Sequence, residues 1–299
     1  MSIYQIHGLK EKLTLGKFVT TVELEPPKGA NPMPVLEKAT FLRGIVDAVN
    51  IADSPMATLR MSPIALAHVI QQDMGIEAIF HLTCRDRNII GLQSELLGAA
   101  ALGVRNILTL TGDSPARGDH PQAKGVFEVD STGLANIAYQ LNQGKDLSGN
   151  PLNSATDFFI GGAANPGNDD LELEVEKLKR KIESGVEFVQ TQPVYELSQV
   201  ERFLEKIRDL PVHVIFGILP IKSVKMAYYL NEKVPGIHIS SEMIAKVEQG
   251  GRKAGIEIAQ KLIEEIKGIV QGVHIYPIGD LSIVSDLLQV SDKQIKKII

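Results

Sequence analysis

Apolar, β-branched runs alternate with longer amphipathic stretches along almost the whole chain. The runs predict strands near 18–25, 47–52, 76–83, 106–111, 157–163, 187–192, 212–218, 237–240 and 272–278. The stretches predict helices near 33–43, 62–73, 89–102, 132–143, 170–184, 196–208, 222–233 and 241–270. Strands spaced by helices imply parallel βαβ units. An open doubly wound sheet is the alternative, but no G-x-G-x-x-G follows the first strand, which weakens its dinucleotide-binding form. Nine strand-like runs are one too many for a (β/α)8 TIM barrel. The run at 234–240, V-P-G-I-H-I-S, is the shortest and lies between two helical stretches, so it reads as an insertion. G-V-H-I-Y-P-I then closes the barrel.

The 170–184 helix carries Leu171, Leu173, Val175, Leu178 and Ile182 with Glu and Lys between them, a core-facing stripe with a solvated charged face. No composition break or Ser/Gly linker divides the chain, so residues 1–299 read as one domain. The tail S-D-K-Q-I-K-K-I-I is too short for a domain of its own and is expected to dock outside the barrel. The segment 112–131 follows a strand and is long, polar and rich in Gly and Pro. Long loops of this kind inside a compact domain are usually functional or disordered, and in a barrel this one would lie over the active-site face.

Hydrophobic residues make up 44% and charged residues 22%, a composition that fits a soluble globular protein. The net charge of -5 gives no reason to expect attraction to nucleic acid or to an anionic membrane. Cys84 is the only cysteine, so the chain has no intrachain disulfide and no cysteine cluster for zinc or an iron–sulfur centre. There is no H-x-x-x-H or C-x-x-C, and no metal site is expected. The N-terminus lacks the apolar core of a signal peptide, and no run approaches the ~20 apolar residues of a membrane span. The cytoplasm is the expected compartment.

The candidate chemistry lies where strands end. Side chains alternate along a strand, so Thr21, Glu23 and Glu25 should share a face, as should Ile79, His81 and Thr83; Thr109, Thr111 and Asp113; and Gln190 and Gln192. In a barrel these would converge on one pocket at the C-terminal ends of the strands. Glu23 precedes Leu24-Glu25-Pro26-Pro27, where the prolines stop the ladder. Partly desolvated beside Glu25, it could act as a general acid; the other reading is a rim carboxylate paired with Lys or Arg. His81 either faces a ligand or is a satisfied core histidine. Cys84 reads as a small buried residue. Gly112 permits close backbone approach and Asp113 can neutralise a cation, although Gly-Asp-Ser-Pro is also ordinary turn chemistry. Gly161, Gly162, Ala163 and Ala164 leave room either for a flat ligand or for tight helix-on-barrel packing. Gln192 can donate and accept at once, which suits the paired edge of a pterin or flavin.

The segments T-V-E-L-E-P-P-K, F-H-L-T-C, L-T-L-T-G-D, G-G-A-A-N-P, F-V-Q-T-Q-P-V-Y, F-G-I-L-P-I and G-V-H-I-Y-P-I occur in an order that resembles the methylenetetrahydrofolate reductase family, from about residue 15 to 288. The resemblance implies a (β/α)8 barrel with a flavin at the C-terminal ends of its strands, FAD by first expectation and FMN by second. It implies reduction of 5,10-methylenetetrahydrofolate to 5-methyltetrahydrofolate by ping-pong hydride transfer through flavin N5, with NAD(P)H as a candidate donor. Carried over residue by residue, it makes Glu23 the general acid, Asp113 the carboxylate that supports a cationic 5-iminium and Gln192 the folate-contacting amide. Tyr195 joins these three as a substrate-binding residue. His81, Thr109, Thr111, Gly112, Asp113, Ser131, Gly161, Gly162, Ala163, Asn165 and Lys181 are the implied cofactor positions.

The chain departs from the better-known bacterial pattern at several of these positions. Thr111 stands where an arginine often precedes the Gly-Asp pair, Gly161 where a tyrosine is common and Asn165 where a histidine is common. Asp280 stands where an arginine could meet the folate's glutamate tail. Some short members of the family receive electrons from an iron–sulfur and zinc partner subunit, which for this chain would have to be another protein. An oligomer is expected. A Schiff-base aldolase is the competing barrel class, but no strand tip carries the lysine it would need.

Overall fold

The computed structural model describes residues 8–290. Residues 1–7 and the 291–299 tail, with its expected docking, lie outside the described residues. Eight parallel strands close into a barrel in sequential order. They are β1 Val19–Leu24, β2 Ala48–Ile51, β3 Glu77–Thr83, β4 Asn106–Leu110, β5 Phe159–Ala164, β6 Phe188–Pro193, β7 His213–Ile218 and β8 Gly272–Ile275. Six fall within runs expected to be strands, and β5 and β6 overrun theirs by one residue at the C-terminal end. The helices are α1 Leu9–Thr14, α2 Met33–Thr40, α3 Pro63–Met74, α4 Ile89–Ala101, α5 Ser131–Asn142, α6 Leu171–Glu183, α7 Leu197–Ile207, α8 Val224–Lys233, α9 Ser241–Ile266 and α10 Ser282–Leu288.

The helices start where the sequence offers caps. Asn88, Asp130, Asp170, Ser223 and Ser240 each accept a hydrogen bond from a first-turn backbone N–H of α4, α5, α6, α8 and α9. Between α8 and α9, residues 234–240 form a connector rather than a ninth strand. Ile237 and Ile239 are buried, and the Asn231 side chain bonds both the N–H (2.8 Å) and the carbonyl (3.0 Å) of Ile239. One amide thus supplies what a neighbouring strand would, which explains the strand-like sequence. α9 breaks at Gly251, whose φ of 57° is left-handed. On α6 the stripe is narrower than expected: Val175 and Leu178 are buried, but Leu173 is 45% exposed and belongs to the solvent face.

α1 was not apparent from the sequence. It closes the N-terminal end of the barrel, with Leu9 and Leu13 packed against Val19, Ala48, Ile79, Leu108, Phe159, Phe188 and Ile215. Glu77 holds it there by accepting from the Leu9 N–H (2.6 Å) and from Asn106 Nδ2 (2.7 Å). The barrel interior therefore has an apolar floor. Above the floor lies a buried polar layer of Thr21, Asn50, His81, Gln190 and His274. Above that layer the strand ends open into a cavity.

Candidate active site

The cavity has a volume of about 600 Å³ and is lined by, among others, Glu23, His81, Thr111, Gly112, Asp113, Ala163, Gln190 and Gln192. Glu23, half-buried at the end of β1, has no ion-pair partner among the described residues, because Arg60 turns instead to Glu25 (Nε–Oε1 2.8 Å). Burial, and secondarily the Glu25 charge, pushes the Glu23 carboxyl up to about 7. Asp113 and Gln192 are exposed at the mouth, and neither side chain has a hydrogen-bond partner among the described residues. Between β6 and β7 the register shifts across Gln190 and Pro193, and Thr191 Oγ1 accepts the Gly217 N–H at 2.9 Å. This irregularity brings Gln192 to the mouth while Gln190 stays in the polar layer below.

β4 corrects one expectation. Asn106 and Leu108 point into the barrel, so Thr109 lies on the outer face, where its hydroxyl donates to the Gly161 carbonyl (2.9 Å). Asp113 still reaches the cavity because the strand ends at Leu110 and Gly112 turns the chain with a φ of 92°. A Cβ on Gly112 would sit 3.0 Å from Thr83 Cβ.

A second groove of about 590 Å³ is lined by Asp130, Ser131, Thr132, Gly133, Asn136, Lys177, Arg180, Lys181 and Ser184. It joins the N-terminus of α5 to the cationic face of α6. Lys181 Nζ donates to the Ala163 carbonyl (2.5 Å) and the Thr111 hydroxyl accepts the Ser131 N–H (3.1 Å). Both bonds link this groove to residues of the main cavity. Burial lowers the Lys181 ammonium from its ordinary value.

Besides Thr109, four positions implied by the resemblance do not line either cavity. A Cβ on Gly161 would be 2.3 Å from the Phe188 ring, so its small size serves packing inside the barrel. Gly162 faces outward, toward Val186 and the Lys181 stem. Asn165 ties the β5 loop to the connector, its Nδ2 donating to the Pro235 carbonyl (3.3 Å) and its Oδ1 accepting from Gly167 N–H (3.2 Å). Tyr195 is buried in an apolar cluster with Leu219, Ile221 and Leu230, and its hydroxyl has no hydrogen-bond partner among the described residues. Asp280 is held by Arg252 (3.0 Å) and Ser282 (2.6 Å).

Other cavity residues escaped the sequence reading. Asp53 is buried and accepts from the Thr83 N–H and hydroxyl, both at 2.9 Å, and from Arg87 (2.8 Å). Arg85, almost fully buried, fans between Asp86 and the Ser54 carbonyl and lines the wall near Asp113. Tyr276 lines the cavity, donates to the Thr191 carbonyl (3.1 Å) and packs edge-on against His274. Ser54, Met56 and Ala57 all have left-handed φ values, 45°, 53° and 54°, in the loop after β2, and Ser54 and Met56 line the mouth. The available signal was a polar residue inside or just after an apolar run, as in A-V-N-I-A-D and G-V-H-I-Y. Cys84 is buried, its thiol pushed up to about 12 mainly by desolvation, and is chemically quiet.

Among solved structures, an uncharacterized protein from Clostridium thermocellum that binds two copies of 5-methyl-5,6,7,8-tetrahydrofolic acid shares the fold, with a TM-score of 0.62 and 17% identity over 95% of this chain and 99% of that one. A 2,3-dimethylmalate lyase also shares it at a TM-score of 0.55 and 10% identity, covering 99% of this chain and 89% of that one. In sequence, Methylenetetrahydrofolate reductase 1 of Schizosaccharomyces pombe is 26% identical over 71% of this chain and 35% of its own length. Methylenetetrahydrofolate reductase 2 of Saccharomyces cerevisiae is 27% identical over 71% of this chain and 36% of its own. Methylenetetrahydrofolate reductase (NADH) 1 of Arabidopsis thaliana is 24% identical over 72% and 38%. The chain thus spans about a third of the length of these curated relatives. The family model for methylenetetrahydrofolate reductase matches residues 8–291, and the chain belongs to that family.

Proposed function

We propose that this chain is one flavin-binding domain, residues 1–299, that reduces 5,10-methylenetetrahydrofolate to 5-methyltetrahydrofolate by a ping-pong cycle. The observation that carries the reading is Glu23: a carboxyl pushed up to about 7, unpaired with any cation among the described residues, in one cavity with Asp113 and Gln192. The fold shared with a protein that binds 5-methyltetrahydrofolic acid supports it, as do relatives named for NADH and NADPH.

The residues fit a flavin. The main cavity takes a flat ring system against the close backbone at Gly112. The adjoining groove offers the α5 N-terminus and Lys177, Arg180 and Lys181 to phosphate. Ser131 and Lys181 are thereby assigned to the cofactor's tail, and His81, Thr111, Gly112 and Ala163 to its ring. A bound flavin supplies the redox chemistry, accepting hydride from a donor and passing it from N5 to the substrate's one-carbon unit.

Glu23, protonated about half the time near neutrality, gives its proton to N10 as the N10–methylene bond of the imidazolidine ring breaks. The 5-iminium so formed is a cation, and the Asp113 carboxylate at the cavity mouth stabilises it electrostatically. Hydride addition to that carbon completes the N5-methyl group. Gln192 offers a donor and an acceptor to the pterin edge. NAD(P)H is the first candidate donor. The alternative is a flavoprotein subunit fed by an iron–sulfur and zinc partner, and the cytoplasm and an oligomeric state belong to the same proposal.

Purified protein is expected to be yellow, with an oxidised flavin spectrum. A colourless preparation that gains no absorbance with FAD or FMN would sink the flavin reading. Glu23→Gln is expected to abolish reduction of methylenetetrahydrofolate while leaving flavin reduction by an artificial donor nearly intact. Equal loss of both half-reactions would make Glu23 structural. Assaying the isolated chain with NADH, NADPH and then candidate redox partners identifies the donor.

A further inference from the structure

Beneath the cavity, five strands each contribute one buried polar side chain: Thr21 from β1, Asn50 from β2, His81 from β3, Gln190 from β6 and His274 from β8. The group is closed on itself. Asn50 Nδ2 donates to Gln190 Oε1 (2.5 Å) and lies 3.0 Å from His81 Nε2. Gln190 Nε2 donates back to Asn50 Oδ1 (3.0 Å) and to Thr21 Oγ1 (3.1 Å). Thr21 Oγ1 is in turn 2.8 Å from His274 Nδ1.

Proton accounting resolves the directions. With the two amides oriented as they stand, Asn50 spends one N–H on Gln190 and the other on His81, so His81 Nε2 accepts and its single ring proton is on Nδ1; turning both amides over would put that proton on Nε2, which is the alternative the test below separates. The Thr21 hydroxyl accepts from Gln190, and His274 Nδ1 is the one partner among the described residues left for its own proton, so in this orientation Thr21 donates to Nδ1 and His274 carries its proton on Nε2. The two histidines are locked in opposite tautomers by two amides and a hydroxyl. Breaking the sequence anywhere leaves a buried donor or acceptor without a partner, which is costly. Both imidazoles stay neutral, with burial holding His81 down at about 4 and His274 at about 3. Among the described residues His81 Nδ1 has no hydrogen-bond partner, and His81 lines the cavity.

We propose that Asn50 and Gln190 are positioning residues that lock His81 as the Nδ1–H tautomer, so that it presents a hydrogen-bond donor to an acceptor atom of the cavity's occupant. The identity of that occupant as a flavin rests on the function proposed above; the tautomer does not. An imidazole left to itself in water favours the Nε2–H form, so the network holds His81 against its own preference.

The test is long-range ¹H–¹⁵N correlation of the histidine rings in the full-length, flavin-free protein, with His81 assigned by comparison with His81→Gln. Wild type is expected to show His81 protonated at Nδ1 and His274 at Nε2. An Nε2–H His81, or averaged shifts for both nitrogens, overturns the proposal without any variant having to fold. Asn50→Ala should release His81 to the Nε2–H form, and Asn50→Asp, which can only accept, should enforce it. In both, FAD or FMN should bind roughly tenfold more weakly, the loss of one hydrogen bond. Weaker binding with the His81 tautomer unchanged would make Asn50 merely structural and also overturns the proposal. If wild-type protein binds neither flavin, the function reading fails, while the ring spectra still decide the tautomer.

Discussion

Glu23 is a carboxyl in a cavity wall that no lysine or arginine among the described residues neutralises. Its proton is present below about 7 and lost above it, so the folate half-reaction should slow as pH rises through 7. Stopped-flow reoxidation of reduced enzyme by methylenetetrahydrofolate, followed from pH 5.5 to 8.5, checks this; a flat profile would remove Glu23 as the acid. The same shift carries a cost in stability. A carboxyl whose folded value is raised above its unfolded value favours the fold at low pH, and that contribution is lost as pH rises through the folded value. Glu23→Gln should therefore be more stable than wild type at pH 8 by roughly 1–3 kcal/mol, and little different at pH 5, in urea denaturation. Activity and stability pull in opposite directions at this residue.

At the scale of elements, β5 shows how packing and binding divide one short motif. Gly161 makes room for the Phe188 ring, which stacks on Phe159 with centroids 4.6 Å apart, whereas Ala163 lines the cavity two residues on. Gly161→Ala should destabilise the barrel by roughly 1–3 kcal/mol through overpacking, while the flavin affinity of the folded fraction stays within about twofold. Thermal melts and flavin titration separate the two. The element boundaries were largely legible because hydrophobic period and cap residues are local signals, and Ser223 and Ser240 begin α8 and α9 as such residues do. Side-chain direction was legible for β1, β3 and β6 but not for β4. There Thr109, Thr111 and Asp113 suggested one face, although Asn106 and Leu108 are the inward residues. Alternation holds only inside a strand, and the turn at Gly112 resets it.

At the scale of the molecule, the barrel cavity and the α5–α6 groove are linked through Thr111–Ser131 and Ala163–Lys181. In the proposed function the first would take the ring of a flavin and the second its phosphate tail. Arg180→Gln, at an exposed position in the second groove, should weaken FAD and FMN by about three- to tenfold and riboflavin hardly at all, as measured by fluorescence quenching. Equal weakening of all three would move the phosphate elsewhere.

Some of this was in the chain before it folded. The alternation of apolar runs with amphipathic stretches marks the eight strands, along with one strand-like connector, and the helices α2 to α9 between them, because burial of periodic faces is a local, repeating demand. The polar residues that end apolar runs, Glu23, His81, Asp113 and Gln192, marked the C-terminal rim. What depends on distances between strands far apart in sequence could only come from closure of the barrel. Closure leaves Glu23 without a cation among the described residues, with Arg60 paired to Glu25. It buries Tyr195, draws Asn165 to the Pro235 loop and pairs Asp280 with Arg252. It also brings Asn50 within reach of both His81 and Gln190, residues 31 and 140 positions away, and so settles which nitrogen of one histidine carries its proton.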